Sequence, residues 1–215
     1  CETGVRVVQS RQRDEEGWSE NNSADPGGGD ITKNRRRISA VVQVTKQAFA
    51  FVFDRTNGQP VWPIEERPVP TSDTPGERTS PTQPFPTKPP PFDRQGVTVD
   101  DLIDFTPRLR AEALELVKKY RIGPMYTPPS IRGDGPAETR GTVQLPGSVG
   151  GADWQSASFD PETGVLYVQS ITGPFVADLV KGDPTRTDLD YVPGARAYPP
   201  GPRGLPLLKP PYGRL

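Results

Sequence analysis

Apolar and polar positions alternate most cleanly in the stretch that begins at Ile38. Ile38, Ala40, Val42 and Val44 share one parity, and Ser39, Val41, Gln43 and Thr45 the other, which is the period of a β-strand. A second strand is predicted over Ala48–Phe53, with Phe49, Phe51 and Phe53 on one face, and Lys46-Gln47 is short enough to link the two as a hairpin. The second strand runs into Asp54-Arg55-Thr56-Asn57-Gly58. Asp and Asn side chains can bond the turn backbone there, and glycine can supply a positive φ. A later strand-turn-strand is predicted over Trp154–Asp160, Pro161–Gly164 and Val165–Ser170. The helical period appears once. Thr106-Pro107 opens a helix whose stripe is Leu109, Ala113, Leu116, Val117 and Tyr120, with Glu115 and Lys119 able to pair across a turn and Gly123-Pro124 ending it. Just before it, Thr98 and Asp101 are spaced as a capping box for a short helix.

Other stretches carry no period. Residues 9–37 are polar and charged, with a Gly27–Gly29 run and an Arg35–Arg37 run, and read as irregular. Residues 60–91 hold 11 prolines and are expected to be extended or polyproline-like, because they can donate few backbone hydrogen bonds. Residues 127–150 read as loop, and the last 20 residues as proline-rich coil.

Composition limits the alternatives. The 215 residues include 28 prolines and 22 glycines, which excludes a long helical bundle, and no Gly-X-Y period suggests collagen. No apolar run approaches the length of a membrane-spanning helix. The net charge of −1 argues against nucleic acid as the main partner. The absence of histidine excludes His-based triads and His-ligated zinc from this chain, and the single cysteine, Cys1, excludes an internal disulfide. What is left is a loop-rich, β-rich chain with a small core. No secretory signal opens it, and it reads as an internal fragment.

Turns ending in glycine recur at Glu2–Gly4, Arg55–Gly58 and Pro161–Gly164. The glycines are 54 and then 106 residues apart, a spacing suited to propeller blades.

Several phrases carry a resemblance to a known family. They are QVTKQAFAFVFDRTNGQPVWPIEERPVP at Gln43–Pro70, SPTQPFPTKPPPF at Ser80–Phe92, DDLIDFTPRLRAEALELVKKYRIGPMYTPPS at Asp100–Ser130, FDPETGVLYV at Phe159–Val168 and GPRGLPLLKPPYGRL at Gly201–Leu215. Together they resemble the pyrroloquinoline quinone (PQQ)-dependent dehydrogenases of the glucose dehydrogenase-like type, over Asp30–Leu215. The resemblance implies a mainly β fold that is part of an eight-bladed β-propeller with a Pro-rich, two-helix insertion. On that reading 1–37 is divergent or irregular, 38–62 a blade hairpin, 63–150 the insertion, 151–172 blade strands and 173–215 a Pro-rich connection. A lone partial propeller is further expected to leave apolar surface and strand edges uncovered.

The implied chemistry is oxidation of an alcohol or aldose by hydride transfer to PQQ held over Ca²⁺, in the periplasm, with a quinone or cytochrome as electron acceptor. Three positions match cofactor contacts of the family: Lys46, Asp153 and Trp154. A lysine beside the quinone oxygens would stabilise negative charge developing there. Composition alone would make Lys46 a surface residue at a strand end, and Trp154 a blade-core aromatic. In Gly150-Gly151-Ala152-Asp153-Trp154 the glycines allow backbone to approach a flat ligand.

No catalytic residue and no metal ligand is assigned. Relatives carry a phrase like HHDLWDYD whose aspartate after the tryptophan is the proposed base. Aligned without gaps it falls on Asp14–Asn21, with Trp18 kept and Ser19 at the base position. A serine has no useful basicity without a partner base. A degenerate copy and a reading-frame change both fit, and the confinement of the mismatch favours the frame change. The isolated chain is expected to be inactive. The alternative is a non-catalytic scaffold module with a Pro-rich binding surface.

Overall fold

The computed structural model describes residues 12–14, 17–19, 27–133, 138–152, 157–194 and 197–215, with the backbone alone for 12–14 and 17–19. In chain order the strands are β1 Gln12–Asp14, β2 Gly17–Ser19, β3 Gly27–Lys33, β4 Arg36–Val44, β5 Ala50–Asp54, β6 Ile64–Pro68 and β7 Thr82–Pro86. Then follow β8 Ser130–Ile131, β9 Thr142–Gln144, β10 Ser158–Asp160, β11 Val165–Tyr167, β12 Ser170–Ile171, β13 Phe175–Lys181, β14 Tyr191–Pro193 and β15 Gly213–Arg214. One α-helix, α1 (Pro107–Val117), and two short 3-10 turns, Val99–Asp101 and Pro202–Gly204, complete the set. The protein is mainly β. Its strands form separate open sheets, and none closes among the described residues.

The central sheet is β3-β4-β5, antiparallel throughout. The alternation over Ile38–Val44 lies in β4, but order starts earlier than that pattern suggested. β4 begins at Arg36, and Gly27–Lys33 pairs along it with Gly29 opposite Ala40. Asn34 and Arg35 take positive φ (51° and 63°), the twist that a two-residue hairpin needs. Glycine at 29 has a packing reason, because a Cβ there would lie 2.5 Å from the Phe159 ring. β5 starts at Ala50 rather than Ala48, whose φ of 66° places it in the turn. Phe49, Phe51 and Phe53 do share a face, and they pack with Val41, Ile64, Phe85 and Met125. Burying each such ring contributes about 1.5–3 kcal/mol. The opposite face sets Val44 and Ala50 against Ala152 and Phe92.

The proline-rich stretch is not free polyproline. β6 and β7 form an antiparallel ribbon that sets Ile64 opposite Pro86 and Pro68 opposite Thr82. The inward bonds run between the odd-numbered residues, as in Val69 N to Pro81 O (3.0 Å) and Thr87 N to Pro63 O (3.0 Å). Pro68, Pro84 and Pro86 occupy the even positions, so their missing N–H groups fall on the outer edges, where no ladder bond is lost.

The helical part has its own core of Val97, Leu102, Ile103, Ala113, Val117, Val143, Leu145, Leu207 and Leu208. The Asp101 carboxylate accepts from the Thr98 amide and hydroxyl (both 2.8 Å), as the capping-box spacing predicted. Thr106 Oγ1 accepts from Leu109 N (3.2 Å), and Pro107 sits at the first turn of α1. The helix stops at Val117, six residues before Gly123, and Glu115 pairs with Lys118 (2.6 Å) rather than Lys119. The last 20 residues are more than coil. Ile103 N bonds Leu207 O (2.9 Å), Lys209 N bonds Asp101 O (2.8 Å), and Gly213–Arg214 pairs with Ser170–Ile171. The second predicted strand-turn-strand is shorter than expected, with β10 pairing β11 and Ser170 belonging to β12. Part of the loop expected over 127–150 is strand, since β9 pairs β13.

The two described glycine turns match each other. Gly58 (φ 75°) and Gly164 (φ 71°) each donate their amide to an aspartate carbonyl four residues earlier, Asp54 (2.7 Å) and Asp160 (2.9 Å). Each aspartate Oδ1 accepts the amide two residues on, from Thr56 and Glu162 (both 2.9 Å). The turn at Glu2–Gly4 lies outside the described residues. Apolar side chains that stand exposed include Phe105, Ile171 and Leu189.

Candidate functional site

Lys46 lies in the link between β4 and β5, and the link is stiff. Thr45 N donates to Phe49 O (2.9 Å), Ala48 N to Thr45 O (3.0 Å), and Phe49 N to Thr45 Oγ1 (3.2 Å). A ring of further bonds fixes this turn to distant segments. Gly151 N donates to Lys46 O (2.9 Å), and Ile171 N donates to Gly151 O (2.8 Å). Thr172 Oγ1 then donates to Asp93 Oδ1 (2.7 Å), and Phe92 N returns to Ala48 O (3.0 Å). Lys46, the glycine pair, β12 and the 92–93 segment therefore form one frame.

The glycines, expected to let backbone approach a flat ligand, instead pack against the lysine turn. A Cβ on Gly150 would lie 2.6 Å from both Cα and Cβ of Lys46, and the φ of 80° disfavours a side chain in any case. Gly151 packs on Ala48 and Phe92. The structure thus brings Lys46 to the phrase that holds Asp153 and Trp154, while Asp153 and Trp154 themselves lie outside the described residues. The glycine space is taken by the Lys46 turn itself, so what these residues offer an implied PQQ is the Lys46 side chain beside the glycine phrase, with no gap between the two.

Lys46 also lines one end of a cleft of about 360 Å³. Its walls include Gln47 from the same turn, Met125 and Tyr126 after the helical segment, Gln144 and Leu145 from β9 and its exit, and Val69 beyond β6. Tyr126 takes a φ of 66°, costly for an aromatic residue, and its ring meets Phe85 edge-on at 5.8 Å. Phe85 in turn meets Phe49 at 5.3 Å, so the cleft wall is anchored to the blade core.

Asp93 was not visible from sequence as a site residue. Its side chain is 1% exposed, Oδ1 takes the Thr172 hydroxyl and the Arg94 amide (2.7 Å each), and Arg214 Nε lies 3.5 Å away. Little local marks it, because its side-chain partners Thr172 and Arg214 stand about 80 and 120 residues further on in the sequence. No cluster of three or more His, Cys, Asp or Glu side chains among the described residues could hold a metal ion. Ser19 of the aligned base phrase sits in β2, opposite Gln12 of β1. Residues 12–14 and 17–19 are thus paired strands, although the sequence there lacks strand alternation. No helix among the described residues is long and apolar enough to cross a membrane.

The mainly β fold agrees with the resemblance, while neither eight blades nor a closed sheet is seen among the described residues. Residues 2–215 match the family model described as PQQ: Glucose/ethanol/alcohol dehydrogenase, beta-propeller domain, and the chain belongs to that family. Among curated relatives it is 33% identical over 144 residues to the glycerol dehydrogenase large subunit of Gluconobacter oxydans (strain 621H), covering 66% of this chain and 18% of that protein. It is 32% identical over 191 residues to quinoprotein glucose dehydrogenase A of Acinetobacter calcoaceticus, covering 86% and 23%. It is 29% identical over 195 residues to the quinate/shikimate dehydrogenase (quinone) of Acinetobacter baylyi (strain ATCC 33305 / BD413 / ADP1), covering 82% and 23%. The chain spans about a fifth of the length of these relatives. A europium-containing methanol dehydrogenase structure is a loose likeness, at a TM-score of 0.40 and 19% identity over 82% of this chain and 23% of that one.

Proposed function

We propose that this chain is part of a longer PQQ-dependent dehydrogenase, an eight-bladed propeller that oxidises an alcohol or aldose sugar. The observation that carries the reading is the Gly151 N to Lys46 O bond of 2.9 Å, which joins the two phrases that matched cofactor contacts in a chain of this family. When bound, PQQ supplies a quinone that accepts hydride from the substrate carbon. The ammonium of Lys46 favours negative charge at the quinone edge, and Gly150-Gly151 hold the lysine turn against the ligand face. Asp153 and Trp154 are proposed as further contacts. The substrate proton needs a base, and this chain offers Ser19 at the aligned position, so the base is not assigned here. No ligand for a Ca²⁺ is assigned, and no step above runs through it. A periplasmic location and a quinone or cytochrome acceptor complete the proposal.

The test is dye-linked oxidation of glucose and ethanol with added PQQ and Ca²⁺. The full-length protein is expected to turn over and the isolated chain to remain inactive. Turnover by the isolated chain would refute its proposed inactivity. A silent full-length protein with a clean reading frame through Asp14–Asn21 would favour the non-catalytic scaffold, the second reading, which Ser19 supports.

A further inference from the structure

Successive backbone carbonyls of the lysine turn are each taken by a different donor. Lys46 O accepts from Gly151 N (2.9 Å), Gln47 O from Gln95 Nε2 (2.6 Å) and Ala48 O from Phe92 N (3.0 Å). The first donor belongs to the glycine phrase, and the other two flank Asp93 on one short segment. The glycine phrase is tied in turn to β12, because Ile171 N donates to Gly151 O (2.8 Å). Two arms therefore hold the turn, residues 92–95 on one side and Gly151 with 170–172 on the other. A side-chain bond joins the arms, from Thr172 Oγ1 to Asp93 Oδ1 (2.7 Å).

A carboxylate is a costly group to bury at that junction. The Asp93 side chain is 1% exposed, and its Oδ2 is buried with no hydrogen-bond partner among the described residues. Leaving one carboxylate oxygen unpaired in the interior lowers stability. The Thr172 hydroxyl, the Arg94 amide and Arg214 Nε all converge on the other oxygen, Oδ1. Such one-sided bonding suits a pin between two segments better than a group that stabilises the core.

We propose that Asp93 is a positioning residue for Lys46. Through Oδ1 it locks the 92–95 segment to Thr172, and the two arms together fix the backbone from which the lysine side chain projects. The inference rests on the dehydrogenase reading above, in which Lys46 contacts PQQ. It requires no contact between Asp93 and the cofactor.

The test is a double-mutant cycle in the full-length protein, read as PQQ affinity by fluorescence titration with Ca²⁺ present. Lys46→Ala is expected to weaken PQQ binding. Asp93→Ala should weaken it about tenfold when Lys46 is present, and by no more than about twofold when Lys46 is already alanine. A misplaced lysine and an absent one lose the same contact. Asp93→Asn keeps an acceptor for the Thr172 hydroxyl and the Arg94 amide, and should retain most of the affinity that Asp93→Ala loses. Equal losses in the two backgrounds would make Asp93 a general structural residue and overturn the proposal. Unaltered affinity in Asp93→Ala, or an Asn variant no better than the Ala variant, overturns it as well. Should Asp93→Ala fail to fold, Thr172→Val removes the same bond while nearly keeping the shape. It enters the same cycle, where a loss that vanishes without Lys46 supports the proposal and an additive loss overturns it. If Lys46→Ala itself leaves PQQ affinity unchanged, the cofactor reading fails and this inference falls with it.

Discussion

The β3-β4-β5 sheet and the helical segment that follows are held together in opposite ways. In the sheet, each strand pairs with its neighbour in sequence, and the apolar residues of β4 and β5 meet across a short turn. The helical segment closes only over long distances. Leu102 bridges to Leu208, Gly96 N bonds Leu145 O (2.7 Å), and Arg94 Nη2 reaches Lys209 O (2.9 Å). Local alternation suffices for the first region. The second depends on a terminal stretch that sequence pattern reads as coil. Lys46 sits where the two regions meet, so its placement depends on both.

The comparison is broken most directly at Leu208, which is 1% exposed in the helical core. Leu208→Ala in the full-length protein should cost about 2–5 kcal/mol, through lost burial and the cavity left behind. Ile31→Ala, at a half-buried position on the edge strand β3, should cost clearly less. Denaturant unfolding of both variants measures the difference. Equal losses would mean that the terminal stretch is not what closes the second core.

The seam is tested by Gly150→Ala. The added Cβ would press on Lys46 Cα at 2.6 Å, and alanine at a φ of 80° is strained by about 1–3 kcal/mol. The expected signature is a loss of PQQ affinity larger than the loss of stability explains, because the clash moves the lysine turn itself. Fluorescence titration with PQQ alongside thermal unfolding separates the two. A stability loss with unchanged PQQ affinity would detach Gly150 from the site.

How far each region could be read from sequence follows the same division. The Ile38–Val44 alternation, the three phenylalanines and the Asp-to-Gly turns all report local geometry, and they place the lysine turn correctly between two strands. The strand β13 gives no such signal. Its buried run Val176-Ala177-Asp178 includes a carboxylate 1% exposed, matched by Arg132 Nε at 2.8 Å from a distant segment. A buried carboxylate of that kind, paired with a partly exposed arginine, defeats a hydrophobic period. The ribbon β6-β7 was hidden for another reason. Proline content says how many donors are missing, but only the pairing register says that those of Pro68, Pro84 and Pro86 are missing from the outside. Asp93 could not be singled out at all, because its partners Thr172 and Arg214 reach it only once the long-range contacts form.

The smallest predicted effect separates the local turns from everything around them. The Thr56 hydroxyl and amide hold the Asp54 carboxyl below its usual range, and the Thr163 hydroxyl with the Glu162 amide does the same for Asp160. A carboxyl whose folded pKa is depressed adds stability that is fully present above the unfolded value, about 3.9, and is lost as pH falls through the folded value. Asp54→Asn and Asp160→Asn should therefore narrow their stability gap to wild type only below about pH 4. Both aspartates are solvent-exposed, so the change should be modest and similar at the two turns. Unfolding midpoints taken between pH 3 and pH 7 provide the check. A gap at Asp160 that persists in acid while the one at Asp54 closes would show that the two turns, alike in their bonds, are not energetically equivalent, and would weaken their reading as one repeated blade element.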